Sequence, residues 1–180
     1  GRLIVRRIIF GDNLPVLRGL PAASIPLIYI DPPFNTGKAQ ARHELATTRA
    51  QPGEAGDRTG FQGQRYTTVR LATRSFEDTF DDFLTFIRPR LEEAHRVLTP
   101  NGALYFHIDY REAHYCKLLL DEIFGRRAFL NEIIWAYDYG ARTTRRWPAK
   151  HDTIFFYAKN PDDYVFNAAA VDREPYMAPG

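Results

Sequence analysis

At 180 residues, 44% of them hydrophobic, the chain is long enough for one domain with a buried core, and a 26% charged fraction excludes wholesale disorder. A formal net charge of +2 is too small to name a partner by itself. The single Cys116 leaves no internal disulfide, which fits a reducing cytoplasm, and no apolar run is long enough to span a bilayer.

The elements follow in order. Leu3 to Phe10 is rich in Ile and Val and reads as a strand; Gly11-Asp12-Asn13 turns it into a short helix from Asn13 to Leu20. Ile25 to Ile30 has the continuous apolar character of a strand covered on both faces. Residues 35–75 carry Gly37, Pro52, Gly53, Gly56, Gly60 and Gly63 and lose periodicity, which predicts a long mobile loop. Helical spacing returns over Phe76 to Leu98, with Phe80, Phe83, Leu84, Ile87, Leu91, Ala94 and Leu98 on one stripe; Pro89 should kink or split this helix. Ala103 to Ile108 reads as a strand and Arg111 to Phe124 as a helix stopped by Gly125. Phe129 to Tyr139 and Thr153 to Tyr157 read as two further strands, joined by the basic segment 140–150. Strands alternating with helices argue a doubly wound, mostly parallel α/β sheet, and the closing strand pair argues an antiparallel edge. Ligands of such sheets collect beyond the carboxyl ends of the strands, where Asp12, Asp31 and Asp109 would sit.

Asp31-Pro32-Pro33-Phe34 follows the second strand directly. A bare Asp-Pro-Pro is commonly only a turn, but this context gives it chemistry. The carboxylate accepts one N–H of an exocyclic amine; the carbonyl of a ring-locked proline accepts the other; the Phe ring stacks on a planar base. An exocyclic base amine is a poor nucleophile because its lone pair is delocalised into the ring. Two acceptors favour the pyramidal nitrogen that attack on a methyl group needs.

The stretch Ile28 to Lys38 (IYIDPPFNTGK) resembles the catalytic motif of amino-methylating DNA methyltransferases, which act on adenine N6 or cytosine N4. FGDNLPVLRGL at 10–20, VLTPNGALYFHI at 97–108, LLLDEIFG at 118–125, NEIIW at 131–135 and KHDTIFFYAK at 150–159 resemble the same family. Their order is that of the circularly permuted β class. The resemblance implies a class I methyltransferase-like (Rossmann-like) sheet, here incomplete, with Asp31, Pro32, Pro33 and Phe34 as the catalytic set. It implies S-adenosylmethionine as cofactor, with Asp12 and Asn13 at its adenine and Asp31 near the methyl donor. Helix capping is the other reading of Asp12-Asn13, and the two are compatible. The family's Phe-x-Gly-x-Gly cofactor segment and a target-recognition region are expected beyond residue 180. With Gly1 in place of Met and an abrupt end at Gly180, the chain reads as the catalytic half of a longer protein.

Family membership implies a bacterial restriction–modification setting and double-stranded DNA as partner, with the target base flipped out; a homodimer or a partner subunit is left open. Asp at the first motif position is the family's usual choice for adenine. Cytosine N4, an RNA or protein amide, and a non-catalytic DNA-binding module are the alternatives. Seven Lys or Arg against three acids between Lys38 and Arg74 suit phosphate contact, with Lys38, Arg42 and Arg65 singled out. Arg142, Arg145, Arg146 and Lys150 bracket Trp147, a pattern that suits a backbone plus a wedge or stacking contact. His107 and Asp109 lack a third ligand at metal-site spacing, and methyl transfer from a sulfonium needs no metal.

Overall fold

The computed structural model describes residues 6–35, 38–49, 58–59, 65–78, 82–138 and 143–171. Two compact units result, one from residues 1–34 and 82–180, the other from residues 35–81.

The larger unit is built on a four-stranded sheet: β1 (Ile25–Ile30), β5 (Leu98–Ile108), β6 (Phe129–Ala136) and β7 (His151–Ala158), in the spatial order β1-β5-β7-β6. β1 and β5 run parallel; β7 runs antiparallel to both of its neighbours. The reversed strand is therefore one place in from the edge, and β6 forms the edge itself. Being an inner strand, β7 is buried without interruption from Thr153 to Ala158.

Among the described residues, three α-helices accompany this sheet. Asp12 caps α1 (Asn13–Gly19) by accepting the Leu14 N–H at 3.1 Å. Asp82 caps α2 (Phe83–Val97) through the Thr85 N–H. α3 (Ala113–Phe124) ends at Gly125, whose φ of +87° favours glycine and whose N–H bonds the Asp121 carbonyl. Phe83, Ile87, Leu91, Ala94 and Val97 recur along the buried face of α2, and Cys116, Leu119, Leu120 and Phe124 along that of α3. α2 packs on α3 and on β5, and α3 on β7, where the Phe124 ring meets that of Tyr157; with Leu104, Phe106 and Ile108 of β5 these stripes form the core. The Arg96 guanidinium donates to the Leu17 and Leu20 carbonyls and so ties the end of α1 to α2.

Several sequence expectations need correction. Residues 6–10 form no strand, and Ile8, Ile9 and Phe10 are exposed; a strand needs a neighbour, and none pairs with them among the described residues. Residues 3–5 lie outside the described set. β1 is not covered on both faces: Leu27 and Tyr29 are exposed. Pro89 does not split α2, which continues through it. The apolar stripe packed on the sheet offsets the loss of one backbone hydrogen bond. Residues 76–78 belong to a strand rather than to the helix.

The expected loop at 39–75 is a second sheet. β2 (Lys38–Arg49) pairs antiparallel with β4 (Arg65–Asp78), and β3 (Arg58–Thr59) adds to the far end of β4. The glycines and Pro52 between residues 50 and 64 mask the signal. Outside that stretch, Thr47, Thr48, Thr67, Thr68 and Val69 have the β-branched character that suits strands.

Parallel pairing of β1 with β5 requires a close approach at Gly102. A Cβ there would lie 2.9 Å from Thr99 Oγ1 and 3.0 Å from the Pro26 carbonyl oxygen. Gly102→Ala is expected to destabilise the fold by about 1–3 kcal/mol, as overpacking does, and to lower the denaturant midpoint at unchanged m-value in a urea titration.

Candidate active site

β1 ends at Ile30, and the chain leaves the sheet through Asp31 to Phe34. Pro32 is buried and pins this exit, while the Asp31 side chain keeps 58% of its surface exposed. Asn35 adopts φ +53°, a left-handed conformation that asparagine tolerates, and turns the backbone immediately after Phe34.

A cavity of about 300 Å³ opens at this strand end, lined by Asn13, Tyr29 to Pro33, Phe86, Ile87 and Arg90. Its volume is at the lower end of small-molecule sites. Polar groups from α1, β1 and α2 converge on it. Arg90 organises one wall. It donates from Nε to Asn13 Oδ1 at 2.9 Å, from one terminal nitrogen to Asp12 Oδ1 at 2.9 Å and from the other to the Phe86 carbonyl. Its guanidinium carbon also lies 3.8 Å from the centre of the Phe86 ring. The Leu14 N–H and, after it, Arg90 hold the Asp12 carboxyl below its ordinary range.

On the other side, His107 on β5 reaches toward the same strand end. Its Nδ1 is 3.1 Å from the Tyr29 hydroxyl and 3.5 Å from Asp31 Oδ1; its Nε2 is 3.4 Å from Asp152 Oδ2. The Phe34 ring meets the His107 ring edge-on, with centroids 5.3 Å apart. Partial burial, and after it the Asp31 charge, push the Tyr29 phenol up.

The sequence-selected residues are placed as follows. Asp31, Pro32, Pro33 and Asn13 line one cavity; Asp12 stands behind it, joined through Arg90. Phe34 is not among the lining residues and leans on His107. Asp109, at the end of β5, is 4% exposed and accepts from the Arg111 backbone N–H and guanidinium, so it caps the turn into α3. Burial raises its carboxyl above the ordinary range, against the pull of Arg111. Lys38 and Arg42 fall on β2 and Arg65 on β4, in the smaller unit. Arg145, Arg146 and Trp147 lie in an exposed turn, with Trp147 94% exposed. Lys150 donates to the Asp138 carbonyl at the base of that turn. Arg142 lies outside the described residues. Phe86 and Arg90 lie outside every motif of the sequence; Tyr29 and Asp152 lie within two of them, but only strand register brings their side chains to the site.

Among known proteins, residues 25–177 match the DNA methylase family of N6/N4 methyltransferases. The chain belongs to that family. It is 29% identical over 161 residues to the Mod subunit of the Escherichia coli type III restriction-modification enzyme EcoP15I, covering 88% of this chain and 25% of that subunit. It is 27% identical over 167 residues to the DNA adenine methyltransferase YhdJ of Escherichia coli K12, covering 92% of this chain and 45% of YhdJ. The chain thus spans a quarter to under half the length of these relatives. The crystal structure of TTHA0409 from Thermus thermophilus, described as a DNA modification methylase, superposes with a TM-score of 0.51 at 18% identity. That superposition covers 88% of this chain and 54% of the other. The four-stranded sheet with its reversed β7 accordingly has the class I methyltransferase fold.

Because Asp12 sits low through its bonds, it adds stability above its unfolded value and loses that contribution as pH falls through the folded one. Replacing Arg90 by Gln removes part of that hold. The Asp12 carboxyl titration, followed by carbon NMR, should then shift upward toward the ordinary value, and the Leu14 amide should exchange faster.

Proposed function

We propose that this chain is the catalytic part of a DNA methyltransferase that methylates adenine N6 on an extruded base, using S-adenosylmethionine. The observation that carries the reading is Asp31: an exposed carboxylate at the carboxyl end of a sheet strand, on the rim of a cavity and next to a buried proline.

The residues fit the cofactor in part. An acidic rim suits a cation, and Asn13, whose carbonyl oxygen is taken by Arg90, keeps its NH₂ group for an acceptor on a nucleobase edge. When bound, S-adenosylmethionine supplies a methyl group made electrophilic by its sulfonium. The chain's own share is orientation and electrostatics. Asp31 and the Pro32 carbonyl each accept one N–H of the base amine, which favours the pyramidal nitrogen and stabilises positive charge developing on it. Phe34, held on edge by His107, offers a stacking face worth about 1–3 kcal/mol per base. A base inside a duplex cannot reach such a strand end, so the target must be flipped out.

DNA contact is assigned to two places. Trp147 is nearly wholly exposed between Arg146 and Lys150, and an indole left in water beside cations suits a wedge or stacking contact. Lys38, Arg42 and Arg65 on the smaller sheet supply phosphate-pairing charge. Adenine is favoured over cytosine by Asp31 at the first motif position and by the adenine specificity in YhdJ's name. The likeness to a Mod subunit supports a restriction–modification setting and a partner subunit.

Asp31→Ala should lower methyl transfer to duplex DNA by about a hundred- to a thousandfold. Tritium from labelled S-adenosylmethionine, recovered as N6-methyladenine, checks it. Label in N4-methylcytosine would reverse the base assignment, and undiminished transfer by Asp31→Ala would end the reading.

A further inference from the structure

His107 stands between the carboxylates of Asp31, just past β1, and Asp152 on β7, and it takes no direct part in the proposed methyl transfer. Its side chain is 16% exposed, and that of Asp152 is 17% exposed, against 58% for Asp31. The three residues are brought together by register. His107 on β5 lies opposite Ile154 on β7, so Asp152, two residues earlier, projects from the same face of the sheet. On the other side Tyr29 of β1 pairs with Tyr105, which places its hydroxyl on the diagonal to His107.

The hydrogen-bond geometry assigns a direction to this chain of groups. Asp152 is anchored in turn, with its Oδ1 3.3 Å from the Tyr137 hydroxyl. A carboxylate can only accept, so Nε2 carries a proton toward Asp152. With that proton on Nε2, neutral His107 leaves Nδ1 as an acceptor for the Tyr29 hydroxyl at 3.1 Å. A proton on Nδ1 as well would instead face Asp31 Oδ1 at 3.5 Å. With Nδ1 an acceptor no hydrogen bond joins it to Asp31; the ring limits the Asp31 rotamer by filling the space 3.5 Å from Oδ1, and it packs in a T-shaped contact with Phe34. Among the described residues, the charged or titratable groups around His107 are Tyr29 on β1, Asp31 just past it, Asp152 on β7, and, beyond Asp152, Tyr137 and Asp109.

We infer that His107 is a positioning residue, held by Asp152, that fixes the rotamer of Asp31 and the plane of Phe34 so that one Asp31 oxygen is kept for the base amine. Asp152 acts through His107 and Asp31 acts on the substrate. An arrangement of this kind matters because a misplacement of about 1 Å costs up to about a hundredfold in rate. The consequence for turnover rests on the methyl-transfer reading; the coupling between Asp152 and Asp31 does not.

The test uses the 180-residue chain at neutral pH, labelled for carbon and nitrogen NMR, with His107→Asn and Asp152→Asn variants checked for folding by circular dichroism. The parent is expected to show His107 protonated on Nε2, and Asp152→Asn to weaken that preference. The Asp31 carboxyl carbon signal should move in both variants, although Asp152 acts on it only through His107. Asp31 signals unchanged in both would overturn the inference and leave His107 as packing. In a parallel methylation assay, each variant should lose about tenfold or more in kcat, with KM for S-adenosylmethionine close to the parent's. Unchanged kcat in both variants would also overturn it. A parent chain that transfers no methyl group would count against its catalysing the reaction by itself, while the Asp31 carbon signal would still decide the role of His107.

Discussion

The parallel ladder between β1 and β5 is the constraint on which the site depends. Ile28, Tyr29 and Ile30 lie opposite Leu104, Tyr105 and Phe106. One residue of slip would turn Tyr29 away from His107 and send the apolar face of β1 into solvent. The ladder also fixes where β1 ends, and with it the point at which Asp31 emerges beside α2. Gly102 permits the approach, because any side chain there would meet the Pro26 carbonyl.

Helix α2 has two functions along one length. Its apolar residues, Phe83, Ile87, Leu91, Ala94 and Val97, bury against the sheet. Phe86, Ile87 and Arg90 line the cavity, and Arg90 binds α1 to α2 through Asp12 and Asn13. Hydrophobic burial supplies the affinity of the helix for the sheet; the guanidinium supplies direction. An Arg does this where a Lys would not, because its planar fork bonds two side chains and a carbonyl at once.

Asp31 and Asp109 occupy equivalent places, each just past a strand that runs in the same direction. Their surroundings separate their roles. Asp109 is buried and bonded to Arg111, so its acceptor capacity is spent inside the fold. Asp31 is exposed on a cavity rim, with His107 3.5 Å away. Desolvation makes the first a structural group, and access to solvent leaves the second able to take a ligand.

Local chemistry is legible in the chain alone. Asp12 as a cap before a short helix, the apolar run into Asp31-Pro32-Pro33-Phe34, the stripes of α2 and α3 and the stop at Gly125 all depend on neighbours within a few residues. What failed depended on distant partners. Residues 6–10 have strand composition but no strand beside them among the described residues; Pro89 breaks an isolated helix but not one packed on a sheet. The polar strands β2 and β4 lack the apolar alternation that betrays a half-buried strand, and their pairing joins residues far apart in the chain, such as Lys38 and Asp78. By itself, then, the sequence determined the residue types at the end of β1 and the elements that flank them, because bonded neighbours dictate turns, caps and periodicity. Only the tertiary structure decided that His107, Asp152, Tyr29 and Arg90 converge on Asp31 and its cavity. Strand register and helix packing set those distances, and neither is written in any short stretch of chain.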